Sequence, residues 1–377
     1  MFFLSQTYTK YTIYPLIVYL CAGFGTMKIH SLISLICLLA CTLASCISNA
    51  DQDVETSCEY ASYFDVIELG TKKALVVISP YDRLRDTLII KEPLGNIICM
   101  SSSQVAGLAE IGADSVITAV SGLRYITNPN LHSRKVADIG YEAALDYEKI
   151  LSLKPDLLLT YTVSGAEPAY ISRLRSLGVR VLVLHDHLEN HPLARAEYIR
   201  LYGVLTGCEE VADSLFSAIS QRYHSLADSV QSGGKVKVLM NVPYGDAWYI
   251  PGGDSYMAKL INDAGGEVLG SEPGTAASRV IRMEEAYSLS QDADLWLNPG
   301  PCRTCEEVAA YHHSFRHFGP VVKGLPIYNN TLRITPEGGN DFWESGSVRP
   351  DLILEDLVSM FSISGQQGGL KYHFKVE

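Results

Sequence analysis

The chain has 377 residues, 47% hydrophobic and 19% charged, which is too apolar for a disordered polymer and long enough for two compact lobes. Thirty Lys and Arg stand against 42 Asp and Glu, a formal charge of −12. So acidic a surface repels phosphate backbones and argues against nucleic acid as a partner.

Residues 32–44 read LISLICLLACTLA after Lys28 and His30. A basic start, an apolar run of about a dozen residues and small residues at its end make a secretory signal. The run falls short of the roughly 20 apolar residues a membrane span needs. Its end, Leu43-Ala44-Ser45-Cys46, resembles the lipobox of bacterial lipoproteins. That resemblance implies cleavage before Cys46 and a diacylglycerol on its sulfur. The signal starts naturally at Met27, which leaves residues 1–26 as a start-site extension or a long n-region. The expected organisation is a signal over 1–46, a tether over 47–62, a first lobe over 63–206, a connecting helix over 207–232 and a second lobe over 233–377. Five cysteines follow the anchor: Cys58, Cys99, Cys208, Cys302 and Cys305. Export permits a disulfide, and Cys302-Arg-Thr-Cys305 is the nearest candidate pair.

Past the tether, three β-rich pieces (FDVIEL, KALVVIS, DTLIIK) predict an antiparallel edge. A regular alternation then begins: strands at 96–100, 116–120, 157–160 and 179–184, with helices after Ser101 and over 170–177. A second series has strands at 236–241 and 294–298 and a helix at 256–264. Residues 350–361 (PDLILEDLVSMF) carry helical spacing and would close the chain on the body. Between the series, Val211, Leu215, Ile219, Tyr223 and Leu226 form one stripe of a helix over 207–230, about 35 Å long. The pattern predicts an α/β fold of two Rossmann-like lobes, each with a largely parallel sheet, joined by one long rigid helix.

Ligands of such sheets sit at the carboxyl ends of strands. That rule selects loops 101–104, 121–125 and 161–165 in the first lobe, and 243–248 and 298–301 in the second. The first of these contributes Ser102, Ser103 and Gln104. Aromatic residues gather in or beside these loops: Tyr125, Tyr161, Tyr244, Trp248 and Tyr249. Flat rings with polar edges suit a bulky, partly apolar ligand. Arg124 and Arg279 are candidates to answer an anionic group on it.

Residues 144–159 (ALDYEKILSLKPDLLL), 174–183 (LRSLGVRVLV), 248–253 (WYIPGG), 260–266 (LINDAGG) and 338–354 (GGNDFWESGSVRPDLIL) occur in an order that resembles the substrate-binding lipoproteins of ABC importers for iron chelates (siderophores or haem) and vitamin B12. The likeness runs over about residues 95–361. It implies a periplasmic binding protein of the helical-backbone type: a non-enzymatic, monomeric protein, lipid-anchored on the periplasmic side of a membrane and without a cofactor. Its ligand would be an iron chelate, haem or a corrinoid. The resemblance adds Trp343 and Glu344 to the ligand residues. It also implies that Glu148 and Glu284, one on each lobe, dock on arginines of a permease dimer, with Glu285 as the neighbouring option.

Motifs for other chemistry are absent: GxxxxGK[ST], GxGxxG after a strand, HExxH and GxSxG do not occur. Cys302 and Cys305 with His313 and His317 have the residue types of a zinc site, although the seven-residue gap before His313 is short. His185, Asp186, His187 and His191 read as a polar loop. A Tyr or His from these loops could serve as an axial ligand if haem is the cargo. Three alternatives keep a similar architecture: a tetrapyrrole chelatase, a free-metal (zinc or manganese) binding protein, and a lipoprotein partnering an outer-membrane receptor.

Overall fold

The computed structural model describes residues 57–230, 234–362 and 369–377; the expected signal, Cys46 and most of the tether lie outside them. The described chain starts in a docked conformation, with residues 57–62 of the expected tether bonded to the body. Glu197, buried in the helix Pro192–Thr206, accepts bonds from the amides of Glu59, Tyr60 and Ala61, each at 2.8 Å. Glu189 takes those of Ser62 and Tyr63 at 2.8 and 3.0 Å. Two buried carboxylates are thus supplied with donors, the condition for burying them at all.

Strands β1 (Phe64–Leu69), β2 (Lys72–Ile78) and β3 (Arg85–Ile90) pair antiparallel in chain order. They form a sheet of their own rather than an edge of the parallel one. Its buried face sets Phe64 against Tyr198, ring centroids 4.7 Å apart.

β4 (Ile97–Cys99), β5 (Ile117–Val120), β6 (Ala137–Asp138), β7 (Leu157–Tyr161) and β8 (Val181–Leu184) make the first lobe's parallel sheet, in the order β6-β5-β4-β7-β8. β4 and most of β7 are buried throughout, as strands covered by helices on both faces must be. The chain leaves β4 toward β5 on one side and returns as β7 on the other. The crevice of this switch point therefore lies at the carboxyl ends of β4 and β7.

The second lobe repeats the plan with β9 (Val236–Met240), β10 (Trp248–Ile250), β11 (Gly266–Val268), β12 (Arg279–Ile281), β13 (Leu295–Leu297), β14 (Ile327–Asn329) and β15 (Phe374–Lys375). Its main sheet runs β11-β9-β13-β14-β15, parallel except for β15, while β10 and β12 form a separate antiparallel pair.

The helix expected over 207–232 is found at Glu209–Asp228, and a second helix precedes it and packs along it. Helix Pro192–Thr206 ends at Gly207, φ 72°, whose amide bonds Gly203 O, and helix Glu209–Asp228 turns back along it. The two approach closely because position 203 has no side chain: a Cβ there would lie 2.6 Å from that of Ala212. Arg200 bridges the pair, 2.9 Å from Asp213 and stacked on Phe216. Helix Pro192–Thr206 also touches helix Ser102–Glu110 and β2 on the first-lobe side, and helices Tyr256–Asp263, Ser345–Val348 and Pro350–Phe361 on the other. The element between the lobes is thus a helical hairpin with a nearly all-buried first arm. Helix Pro350–Phe361 closes on the second arm as expected, with Glu355 2.7 Å from Arg222.

Candidate functional site

A cleft of about 760 Å³ opens at the first lobe's switch point. Its floor comes from the ends of β4, β5, β6 and β7, and its opposite wall is the segment 338–343.

The loop after β4 is held by a capping box. Ser101 Oγ accepts the Ser103 amide at 3.3 Å, and Gln104 Oε1 accepts those of Met100 and Ser101 at 3.0 and 3.1 Å. Gln104 Nε2 donates to Thr160 O on β7 at 3.2 Å. Gln104, expected as a ligand residue, is therefore a fully buried peg between two strands. Ser103 donates to Asp186 Oδ2 at 2.8 Å, which leaves Ser102 as the one of the three that lines the cleft.

After β5 the chain turns at Gly122, φ 68°. Asp138 holds the turn by accepting the Gly122 and Leu123 amides at 3.0 and 2.9 Å. This sets Tyr125 beside Tyr141, rings edge to face at 5.9 Å, with the Arg124 guanidinium over both. Tyr161, at the end of β7, lies edge-on to His187 at 5.6 Å. Burial, then the nearby carboxylates of Glu142 and Asp186, push the Tyr161 phenol above its ordinary range.

The opposite wall belongs to the chain's C-terminal part but is fastened to the first lobe. Glu344 accepts the Thr127 and Asn128 amides at 2.7 and 2.9 Å, and Asp341 accepts the Thr127 hydroxyl at 2.9 Å. Gly339 passes so close to Tyr125 O that a Cβ would overlap it. Between these points Trp343 faces the cleft, 45% exposed. Glu344, expected to meet ligand, is instead a clasp, its carboxyl pushed up to about 7 by burial.

The second-lobe residues do not reach this cleft. Trp248 is 1% exposed, donates Nε1–H to Met240 O at 2.9 Å and stacks within 6.1 Å of Trp296 and Phe318. Tyr244 is 84% exposed, and Tyr249 stands on the open face of β10. Arg279 is engaged by Glu285, by Glu272 at 3.3 Å and by Gly270 O at 3.1 Å. The four gather around the β10–β12 pair, apart from the lining of this cleft.

Cys302 and Cys305 are both free thiols. Cys302 packs into the core while Cys305 opens the helix Cys305–Tyr311, whose Thr304 capping box fixes their separation. Among the described residues no three His, Cys, Asp or Glu converge as a metal site, so His313 and His317 do not join the two thiols. His185 is buried and held near 4 by burial and the neighbouring His187; it lines a separate pocket of about 630 Å³ with Tyr81.

The cleft also uses residues that the sequence reading passed over: Tyr141, Glu142 and Asn340. The first two follow β6, whose two residues are too few for a periodic pattern to reveal. Away from the cleft, Glu148 and Glu284 are exposed in the first turns of helices Tyr147–Leu153 and Met283–Gln291, where a helix dipole favours a carboxylate. Glu285 is exposed as well but pairs with Arg279, which leaves Glu284 without that partner.

A family model described as periplasmic binding protein matches residues 97–305. An uncharacterized lipoprotein of Methanocaldococcus jannaschii is 24% identical over 299 residues, 76% of this chain and 69% of its own. An uncharacterized ABC transporter substrate-binding lipoprotein of Bacillus subtilis is 25% identical over 182 residues, 47% of this chain and 56% of its own. Two solved structures share the fold. The periplasmic vitamin B12 binding protein of Vibrio cholerae superposes with a TM-score of 0.54 at 15% identity, over 73% of this chain and 99% of that one. A periplasmic haem-binding protein from Pseudomonas aeruginosa gives 0.55 at 18%, over 75% and 98%. With more than half of its length matched, the chain belongs to the periplasmic binding protein family, whose members bind ligands rather than catalyse reactions.

Proposed function

We propose that this protein is the substrate-binding component of an ABC importer, an exported lipoprotein anchored through Cys46 that works as a monomer in the periplasm. It captures a bulky metal chelate (a ferric siderophore, haem or a corrinoid) and delivers it to an inner-membrane permease dimer. The observation that carries this reading is the cleft itself. Tyr125, Tyr141, Tyr161 and Trp343 line it at a sheet switch point, with the far wall supplied by a distant part of the chain. Aromatic faces with a few hydroxyl and amide groups suit a large, flat, partly apolar ligand. The mechanism is differential binding: cargo favours the closed cleft, and docking on the permease favours lobes moved apart.

Glu148 and Glu284 are the docking carboxylates in this reading. Exposed charges at an interface set orientation and association rate more than affinity. The test combines thermal unfolding of the mature chain with haem, cyanocobalamin, cobinamide and ferric chelates, and uptake by a reconstituted permease. A ligand at about a hundred times its Kd stabilises by about 2.7 kcal/mol. A melting shift with one chelate supports the reading; zinc alone producing the shift contradicts it. Reversing both glutamates to Arg should abolish stimulated uptake while leaving chelate affinity within about twofold.

A further inference from the structure

The charge inventory of the cleft narrows the ligand class. Among the residues that line it, Glu142 is the only charged side chain. Arg124 lies outside the lining and exposed, with its guanidinium 5.0 and 5.8 Å from the Tyr125 and Tyr141 ring centres and Nε donating to Tyr141 Oη at 3.4 Å. Arg333, on the segment that leads to the far wall, is engaged with Asp341 at 2.6 Å and over the Tyr372 ring. Behind the floor stands a further carboxylate, Asp186, reached through Ser103. Burial first, and then Glu142 and Asp186, push the Tyr161 phenol up. A phenol held protonated is also a poor ferric ligand, since iron is bound by the phenolate. The hydrogen-bonding groups left to a ligand are uncharged, chiefly the Ser102 hydroxyl and the Asn340 amide.

We infer that the cleft selects an electrically neutral or cationic, amide-bearing metal chelate, of the corrinoid or ferric hydroxamate kind, over dianionic haem and trianionic ferric catecholates. The inference rests on the reading that this cleft binds chelates. A multiply charged anion would bring two or three negative groups beside Glu142 in a lining that holds no cation. Like charges held close in a partly dry site repel strongly.

The experiment is a calorimetric titration of the mature chain with cyanocobalamin, a neutral ferric trihydroxamate, haemin and a ferric tricatecholate, at two salt concentrations. The neutral chelates are expected to bind at least tenfold more tightly than either anion. Glu142→Gln is expected to strengthen anion binding about tenfold while changing neutral binding less than twofold, and the gain should shrink at high salt. If haemin or the catecholate binds as tightly as the neutral chelates, or Glu142→Gln leaves the anions unchanged, the charge selection is overturned while the binding-protein reading stands. If none of the four binds, the reading of the cleft falls as well.

Discussion

The two lobes spend their aromatic residues in opposite ways. In the first, Tyr125, Tyr141 and Tyr161 sit at strand ends over a crevice, each partly open. In the second, Trp248, Trp296, Phe315 and Phe318 close on one another with centroids 5.0–6.1 Å apart, all within 1% of full burial. The first set lies at or after strand ends, whereas Trp248 opens β10, Trp296 lies inside β13, and Phe315 and Phe318 belong to no strand. Position beside a sheet only nominates an aromatic residue, and its neighbours decide whether it faces a cleft or the core. A second asymmetry follows: the far wall of the cleft comes from segment 338–343, clasped to the first lobe by Glu344 and Asp341.

Each half of this contrast can be broken separately. Trp248→Ala should have the largest effect on stability, about 3–5 kcal/mol in denaturant unfolding, because it opens a cavity in a stacked core. Ligand affinity, measured under conditions where the variant is folded, should stay within about threefold. Tyr161→Ala should do the reverse: a loss of affinity of tenfold or more by titration, with only a modest change in unfolding midpoint, since its ring is half-buried and aimed at the cleft.

Glu344 sharpens the contrast through pH. Burial holds its carboxyl at about 7, against about 4.5 in the unfolded chain. Between these values the folded protein keeps a proton that the unfolded one has lost, so this group's contribution to stability falls as pH rises. The stability advantage of wild type over Glu344→Gln should accordingly shrink by about 1–3 kcal/mol from pH 5 to pH 7.5. A gap that widens over that range would contradict the clasp's assigned protonation. The smallest effect belongs to Arg279→Ala. Its ion pairs are partly exposed, so about 0–1 kcal/mol should be lost and no ligand affinity.

Much of the fold was legible because buried parallel strands announce themselves: IIC at β4 and LLL in β7 are uninterrupted apolar runs. Part of the candidate cleft was legible too: the strand-end rule picks Ser102, Tyr125 and Tyr161, which line it. The role of Gln104 has a local signal, since Ser101 followed three residues later by Gln is a capping-box pattern. Trp248 could have been assigned by alternation, as Trp248 and Ile250 face in and Tyr249 out. The clasp was not legible. Glu344 meets Thr127 and Asn128 from 217 and 216 residues away, and no local pattern encodes such a meeting. The helical hairpin hid for a related reason: Gly207 reads as a helix start from one side and is the stop of another helix from the other.

The most direct test sets the two aromatic groups against each other. Tyr161→Ala/Trp343→Ala and Tyr244→Ala/Tyr249→Ala would be titrated side by side with whichever chelate shifts the melting of the wild-type protein. The expected result is a fall in affinity of about a hundredfold or more for the first pair and less than about twofold for the second. Equal losses, or a larger loss from Tyr244 and Tyr249, would contradict it and move the binding site to the second lobe.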